Sequence, residues 1–443
     1  MDFPYIKQLA MPVIGLEAEL KTFVDGEEVI PEEYWRTPAA FIDMPLMKRT
    51  SKSLQLPTGG ALYFDGGVIE VVTPVIEIAP ECTARAVRSI WEQIGFVRDQ
   101  LDAWESRTGH RVRLQAFSCH CNISFELTRD ERGRNRTIQK LALLLAHLLP
   151  VPVIVTGLNR RSSGIGVRPR RDRIEITLDF TPDPGLMAAT IALIVGITRA
   201  VIAWPSYRID MLDDLPRIAG IEPGRHPSRN GWVTRDYHFP RNPFATPIDE
   251  DVWQMIDGET MSLRAIALRI AERFRDSIRT HADAFSYRLL FAMLRGETPS
   301  LLDLPDRPAA YDDVGRSTRW GSVLPELENF QAGRRSADVD ELAPPWRGEA
   351  IDRRGRKRQS PDRRTRLYTP SARLSRSAYE MMFINVANRR PLQLGGETLT
   401  PLAIKGWYHA LFRNDSGEEK LLSIDQIMTL GSDPEQPDWP AKG

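Results

Sequence analysis

The chain has 443 residues, enough for two or three domains, and its 42% apolar content is that of an ordinary globular protein. Lys plus Arg and Asp plus Glu each total 59, so the overall charge points to no nucleic-acid or membrane partner. Three cysteines make no disulfide framework, and the first residues lack the basic and apolar regions of a secretory signal. We therefore expect a soluble cytoplasmic protein.

The first patterned segment, residues 13–20, alternates like a strand that carries two glutamates on one face. Glu17 and Glu19 share that face with Gly15, and their charges repel unless a proton or a cation compensates them. Residues 12–78 as a whole alternate like strands joined by turns. A further apolar strand in this region carries Glu70, shortly after Asp65 and two glycines.

Helical and strand patterns alternate along the rest of the N-terminal half. Helical periodicity recurs in residues 83–104, 135–150, 186–204 and 260–295, and strand periodicity in residues 114–127 and 173–180. Pro150 is expected to end the second helix, and the last region is expected to hold one or two amphipathic helices. The most apolar run, residues 186–197, is too short for a membrane span and predicts a buried core helix.

The strand at residues 114–127 excludes a tempting zinc site. Alternation places one set of side chains on the core face, namely Phe117, Cys119, Cys121, Ile123 and Phe125. The opposite face receives Ser118, His120, Asn122, Ser124 and Glu126. Since a tetrahedral site needs converging ligands, the cysteines are predicted to be small apolar core residues and not zinc ligands.

Several strands thus carry a carboxylate or a histidine among apolar neighbours. Any one of these residues would fit the wet face of an antiparallel sheet. Together they suit Mg²⁺, which prefers oxygen ligands and completes its coordination with phosphates and water. The candidate set is Glu17, Glu19, Glu70, His120 and Glu175.

Residues 157–173 form an Arg- and Gly-rich segment directly before the strand that carries Glu175. Arginine makes bidentate contacts with phosphate, and glycine lets the backbone approach it, so the segment is a candidate phosphate-binding loop. A flexible basic surface loop is the alternative, and the sequence has no Walker-type motif. The arginines are Arg160, Arg161, Arg168, Arg170, Arg171 and Arg173.

The composition changes after about residue 300. Residues 301–376 are rich in Arg and Pro and are interpreted as a solvated linker or insertion. Contact with a polyanion such as nucleic acid, or a gating role for substrate, are the alternatives for its basic part. Residues 377–443 are predicted to form a small β-rich C-terminal module, with two strands around an Asn-Asp-Ser-Gly turn.

The order of these motifs resembles that of the glutamine synthetase-like superfamily, and most of all its carboxylate–amine ligases related to glutamate–cysteine ligase and the amidoligases. The likeness covers roughly residues 10–300. It runs from Gly-Leu-Glu-Ala-Glu through Ile-Glu-Val-Val-Thr-Pro and His-x-Asn-x-Ser to Arg-Ile-Glu-Ile-Thr-Leu-Asp. It implies an α+β catalytic domain over residues 1–300, in which a curved antiparallel sheet has helices on its outer face and binds ATP and Mg²⁺ on its concave face.

The resemblance also implies roles for the matched residues. The implied metal ligands are Glu17, Glu19, Glu70, His120 and Glu175. The implied nucleotide contacts are His120, Asn122, Arg160, Arg161 and Arg171, and the implied catalytic residues are Arg168, Arg170 and Glu175. The chain departs from the pattern at Asn122, where many relatives have a second histidine. It departs again at Thr177, where an arginine is common, and this removes a possible phosphate contact.

The expected activity is an ATP- and Mg²⁺-dependent ligase that converts a carboxylate to an acyl phosphate, which an amine then attacks to form an amide. The substrates would be small molecules or peptides, and the sequence leaves the oligomeric state open, with a homo-oligomer as one of the alternatives. A phosphotransferase on the same scaffold, or a catalytically weak nucleotide-binding scaffold protein, are the alternatives. Asp65 and Glu126 are the candidates for the base that takes the proton of the amine.

Overall fold

The computed structural model describes residues 10–49, 52–126, 137–162, 164–181, 183–221, 223–225, 232–234, 239–303, 314 and 376–430. Nearly all of the predicted linker, residues 301–376, lies outside the described residues, so its interpretation stays a prediction. The fold below is that of the described residues.

A 12-stranded sheet, in which each pairing is antiparallel, forms the centre of the fold. Its strands are β1 (Ala10–Val24), β2 (Glu27–Val29), β3 (Met47–Lys48), β4 (Leu54–Gln55), β5 (Ala61–Asp65), β6 (Val68–Val72), β7 (Ile76–Glu77), β8 (Val112–Glu126), β9 (Ile165–Pro169), β10 (Arg173–Leu178), β11 (Gly224–Arg225) and β12 (Trp232–Thr234). The order across the sheet is β11-β12-β9-β10-β8-β1-β6-β5-β4-β3, and β2 and β7 also pair with β1. This architecture confirms the predicted α+β class.

Helices pack on the apolar face of this sheet. They are α1 (Pro31–Tyr34), α2 (Cys82–Thr108), α3 (Thr137–Leu148), α4 (Pro150–Gly157), α5 (Pro184–Ile202), α6 (Leu263–Arg273), α7 (Arg275–His281) and α8 (Ala284–Leu294). A short hairpin of β13 (Trp253–Gln254) and β14 (Thr260–Met261) precedes α6. Buried strand residues such as Leu16 and Cys121 belong to one core with residues of α2 to α8. Cys119 and Cys121 are buried there as free thiols, as predicted.

Helix α5 is long and apolar enough to cross a membrane by length and composition, and the bent pair α3–α4 also passes that test as one unit. However, 89% of the most apolar window of α5 is buried inside the structure, as in the core helix of a soluble protein. Asp183 begins the helix, since its Oδ1 accepts hydrogen bonds from the backbone N–H groups of Gly185 and Leu186 at 2.8 and 3.0 Å.

Three details differ from the sequence predictions. Pro150 ends α3 as expected, but it also begins α4, where a missing N–H costs nothing. Residues 260–295 form three helices, because Asp283 caps α8 through the N–H groups of Phe285 and Ser286. Residues 165–169 of the predicted loop form strand β9.

The prediction that Phe117 faces the core is wrong. The pairing of β1 with β8 shifts between Glu19↔Ser118 and Leu20↔Ala116, which leaves Phe117 as the extra residue of a β-bulge. Its side chain is 44% exposed, while Ala116 takes the buried position.

The C-terminal module contains the strands that the sequence predicts, together with two helices. Its four-stranded antiparallel sheet consists of β15 (Leu392–Leu394), β16 (Glu397–Lys405), β17 (His409–Arg413) and β18 (Glu419–Ser423). Helix α9 (Ala378–Ala387) precedes this sheet, and α10 (Ile424–Leu430) follows it. In the turn between β17 and β18, Asn414 Oδ1 accepts the backbone N–H of Glu418 at 2.8 Å.

The module packs directly on the large sheet. Its core includes Val13 and Val75 from the N-terminal part of the chain. At the start of α9, Arg376 forms an ion pair with Glu92 of α2, and both side chains are buried. The backbone N–H of Tyr379 also donates to Glu77 Oε1 at 2.9 Å. The module is therefore held against the large sheet by both apolar and charged contacts.

Candidate active site

Polar side chains lie in three rows of paired residues across the face of the sheet that is opposite the helix core. The first row is Tyr63, Glu70, Glu19 and Ser118, on β5, β6, β1 and β8. The second row is Glu17, His120, Thr177 and Gly166, on β1, β8, β10 and β9. The third row is Gly15, Asn122, Glu175 and Arg168, on the same four strands. Period-2 alternation therefore brings all of the predicted metal ligands, together with Arg168, to one surface.

In the first row, the surroundings of Glu70 disfavour the ionised form of its carboxyl group. Burial raises the pKa of Glu70 to about 8, and the neighbouring charges of Glu17, Glu19 and Asp65 add to this shift. A hydrogen bond from the hydroxyl of Tyr63 opposes the shift without cancelling it. Protein groups alone therefore leave Glu70 protonated at neutral pH. The adjacent Glu19 accepts a hydrogen bond from the hydroxyl of Ser118.

His120 links the carboxylates to the arginines in the second row. Its Nδ1 lies 3.1 Å from Glu17 Oε2, and its Nε2 lies 3.3 Å from Arg168 Nη2. Since a guanidinium can only donate, Nε2 is assigned as the acceptor and Nδ1–H as the donor to Glu17. The imidazole therefore bridges Glu17 and Arg168 and fixes the orientation of both.

Glu175 holds two arginines in the third row. Arg168 lies directly opposite it on β9 and forms an ion pair with it. Arg170 makes a forked contact, with Nε 2.9 Å from Oε2 and Nη2 3.1 Å from Oε1. Burial opposes the ionisation of Glu175, but the Arg170 hydrogen bonds and the Arg168 charge hold its pKa below the usual range. Glu175 is therefore an ionised carboxylate that positions both guanidinium groups.

The structure brings some of the other predicted residues to this surface, but not all of them. Asn122 Oδ1 accepts a hydrogen bond from Arg173 Nε at 2.8 Å. Arg160 donates instead to the backbone carbonyls of residues 244 and 246, at 3.0 and 2.8 Å. Arg161 and Arg171 are exposed. Of the two candidate bases, Asp65 is exposed at the end of β5, and the side chain of Glu126 lies outside the described residues.

Three residues of the site were not identified from the sequence. Tyr63 could have been found, since it has the same strand parity as Asp65. Arg49 lies between β3 and β4, and burial lowers the pKa of its guanidinium while the nearby side chains of Tyr63 and Glu17 oppose this shift. Trp407 comes from the turn between β16 and β17 of the C-terminal module, and its ring lies so close to Gly15 of the third row that a Cβ atom there would be 3.0 Å from it. No local signal points to the last two residues.

The ligand requirements of Mg²⁺ decide whether the side chains of the three rows could hold it. Across the described residues, no three His, Cys, Asp or Glu side chains are placed to hold one ion together. Mg²⁺ is, however, usually held by one or two carboxylates, and phosphate oxygens and water complete its shell. Glu17, Glu19 and Glu70 supply such carboxylates, and a cation would offset the cost of ionising Glu70. The residues therefore fit a Mg²⁺ that arrives with phosphate.

Comparison with known proteins gives neither a family model nor a curated sequence that matches the chain. Among solved structures, the chain is similar to the complex between prokaryotic ubiquitin-like protein Pup and its ligase PafA, with 13% identity and a TM-score of 0.44 over 94% of this chain and 90% of that chain. It is similar to PafA in complex with ADP at 13% identity and a TM-score of 0.38, over 89% of each chain. It is also similar to apo GmaS at 13% identity and a TM-score of 0.28, over 66% of this chain and 71% of that chain. At these values the similarities assign neither an activity nor a site residue to this protein.

Proposed function

We propose that this protein is an ATP- and Mg²⁺-dependent ligase that joins a carboxylate to an amine through an acyl phosphate. One observation supports the proposal above the others: the carboxylates of Glu17, Glu19 and Glu70 lie on the same face of the sheet as Arg168, which Glu175 holds together with Arg170. Transfer of a phosphoryl group needs both a cation and donors that offset charge on the phosphate oxygens. The three rows offer the residues for both.

Each residue has a distinct role in this proposal. Mg²⁺ held by one or two of the carboxylates of Glu17, Glu19 and Glu70 would offset negative charge on the phosphate oxygens. Arg168 and Arg170 donate to the phosphoryl group that is transferred, and Glu175 fixes their orientation before the substrate binds. This preorganisation lowers the reorganisation needed in the transition state.

The reaction has two steps. In the first, an oxygen of the substrate carboxylate bonds to the γ-phosphorus of ATP while the bond to ADP breaks. In the second, the amine nitrogen bonds to the acyl carbon, phosphate leaves, and the amine proton passes to a base. Asp65 and Glu126 remain the candidates for that base. A phosphotransferase would end after a single transfer, so the two functions differ in their products.

Labelled oxygen distinguishes these functions. The purified protein is incubated with Mg·ATP and a defined pool of amines and of carboxylic acids labelled with ¹⁸O in both carboxyl oxygens. A ligase releases ADP, and inorganic phosphate that carries one ¹⁸O, when both substrate classes are present. A phosphotransferase yields ADP and a phosphorylated acceptor without any amine. Release of unlabelled phosphate alone would contradict the acyl phosphate.

Glu19→Gln tests the metal side of the site. The amide keeps the shape of the side chain but removes its charge, so ATP turnover should be lost while the unfolding midpoint is retained. Glu27→Gln is the matched control, since Glu27 is exposed on β2. Turnover of Glu19→Gln at the parent rate would remove Glu19 from the site.

The substrate class and the cellular setting are also proposals. We propose small molecules or peptides as substrates, a cytoplasmic location and the capacity to form a homo-oligomer. The complex with Pup is a property of PafA, and it suggests testing peptide carboxylates within the substrate pool.

A further inference from the structure

An open cavity, called here the helix cavity, lies among the helices. Its accessible volume is about 450 Å³, which is within the usual range of small-molecule sites. Ala200 in the last turn of α5 and Trp204 beyond it form one side. The 3₁₀ helix Ile209–Leu212 and the junction of α6 and α7 at Phe274 form the others. No residue that lines the helix cavity belongs to the three rows, so a ligand bound there would be separate from the candidate active site.

Two aromatic rings form part of the cavity wall. The rings of Trp204 and Phe274 are stacked, with 6.2 Å between their centroids and 30° between their planes. Phe274 is buried, whereas Trp204 is half-buried and can be reached by a ligand. The face of an aromatic ring attracts cations, most often the guanidinium group of arginine. The wall therefore favours a ligand that carries a cation on an apolar stem.

Four charged side chains also line the helix cavity, namely Asp210, Asp214, Asp276 and Arg273. Asp210 is already neutralised by Arg208, whose Nη2 lies 2.8 Å from its Oδ2. The side chains of the other three form no ion pair or hydrogen bond within the part of the chain that the structure describes. Two carboxylates and one guanidinium are thus available to a ligand, with a net charge of about −1. The complementary ligand carries two cations and one carboxylate.

We propose that the helix cavity binds a free basic amino acid, arginine or lysine. Its α-carboxylate would pair with Arg273, and its α-ammonium and side-chain cation would pair with Asp214 and Asp276. Its alkyl stem would lie against Trp204. A basic amino acid at the C-terminus of a polypeptide has the same carboxylate and side chain, but its α-nitrogen is a neutral amide. The two sources of ligand therefore differ by one charge, and that charge can be tested.

Three probes separate the charges of the ligand. Binding of L-arginine, agmatine and N-acetyl-L-arginine to the full-length protein is measured by calorimetry. Agmatine lacks the carboxylate, and N-acetyl-L-arginine lacks the α-ammonium. Each should bind about threefold or more weakly than L-arginine, because a partly exposed ion pair contributes up to about 1 kcal/mol.

Charge-removing variants assign each group of the ligand to a side chain. Arg273→Gln should weaken L-arginine binding about threefold and leave agmatine binding unchanged, because agmatine has no carboxylate to lose. Asp214→Asn and Asp276→Asn should weaken the binding of both probes. The matched controls are the neighbouring Arg275→Gln and Asp213→Asn. Both residues are exposed, neither lines the cavity, and each is paired with another side chain.

Two substitutions at Trp204 test the aromatic wall. Trp204→Ala should weaken the binding of all three probes about threefold, because each of them carries the guanidinium. Trp204→Phe keeps an aromatic ring and should retain most of the affinity. An equal loss in Trp204→Phe and Trp204→Ala would contradict a contact between the ring and the cation.

The remaining outcomes decide the inference independently of the proposed function. Absence of L-arginine binding to the parent protein overturns it, and so does an equal loss of L-arginine and agmatine binding in Arg273→Gln. Equal affinities for N-acetyl-L-arginine and L-arginine would replace the free amino acid by a polypeptide C-terminus. If L-arginine binds instead as an amine substrate at the three rows, Glu19→Gln changes its affinity and Arg273→Gln does not, and the inference fails while the proposed function stands.

Discussion

Replacement of Glu70 by Gln should make the protein more stable at alkaline pH. The pKa of Glu70 is about 8 in the folded protein, against an ordinary value of 4.5. At 1.36 kcal/mol per pH unit, this difference corresponds to about 5 kcal/mol of lost folding free energy once the side chain is ionised in both states. At pH 7 the loss is about 3 kcal/mol, since the folded state still holds its proton. Gln avoids this cost and can still accept the Tyr63 hydroxyl.

The direction of the pH dependence follows from the two pKa values. Below about pH 4.5 both states hold the proton and the free energy of unfolding is unaffected by this group. Between about 4.5 and 8 the unfolded chain releases the proton while the folded protein keeps it, so stability falls as the pH rises. Above about 8 both states are ionised and the contribution is constant. Millimolar Mg²⁺ should restore stability increasingly over the same range.

The assay is urea unfolding followed by tryptophan fluorescence from pH 5 to pH 9, with and without Mg²⁺. The parent protein should lose stability with rising pH more steeply than Glu70→Gln, and Mg²⁺ should stabilise the parent protein more. Glu27→Gln, on the exposed strand β2, should follow the parent curve. Parallel pH profiles for the parent protein and Glu70→Gln would refute the reasoning, because the burial and the neighbouring charges would then not act on Glu70.

Two further predictions concern the arginines. Arg168→Lys or Arg170→Lys should lower ATP turnover by about 10²-fold, because an ammonium does not reproduce the planar fork, while Arg208→Lys, at an exposed position outside the three rows, should keep the parent rate. Unchanged turnover in both of the first two variants would contradict their catalytic role. Arg376→Ala should lower the free energy of unfolding by about 3–5 kcal/mol, because it removes the ion-pair partner of the buried Glu92 of α2. Lys405→Ala, at an exposed position of β16, is the control for denaturant unfolding, and equal midpoints would show that the buried pair adds nothing.

Most of what could be predicted about the site follows from the alternation of side chains along the strands. A period of two requires Glu17 and Glu19 to share a face. It also places His120 on the other face of its strand from Cys119 and Cys121. Alternation cannot show where an extra residue enters a strand, so Phe117 was assigned to the wrong face. The position of a bulge depends on the pairing with a second strand, which here is β1. Such pairing is not contained in a local pattern.

Residues 157–173 were predicted as a loop because arginine and glycine dominate their composition. Strand β9 within this segment is only five residues long and ends at Pro169. Its stability comes from pairing with β10, which places Arg168 directly across from Glu175. The basic composition indicated the chemistry of the segment correctly, while the long-range pairing decided its structure. The contributions of Arg49 and Trp407 were not predictable for the same reason, since each depends on contacts between distant parts of the chain.

The position of Arg168 also bears on the departure at Thr177, where an arginine is common in the family that the sequence resembles. Arg168 Nη2 donates to Thr177 Oγ1 at 2.8 Å, so its guanidinium lies beside the side chain of that residue. Opposite Thr177 stands Gly166, where a Cβ atom would lie 3.1 Å from Thr177 Oγ1. Strand β9 therefore has no side chain opposite Thr177, and it supplies the guanidinium of Arg168, two residues further along the strand.

This arrangement constrains the role of Glu175. Both of its oxygens already accept hydrogen bonds from guanidinium groups, and a buried carboxylate gives up such partners only at a cost of several kcal/mol. A metal ion would have to compete with those bonds at Glu175, whereas at Glu70 it would relieve an existing cost. We therefore propose, as part of the proposed function, that a cation binds at Glu17, Glu19 and Glu70 and that Glu175 positions the arginines. In that division, the threonine at position 177 does not deprive the site of a guanidinium, because Glu175 holds Arg168 at that place.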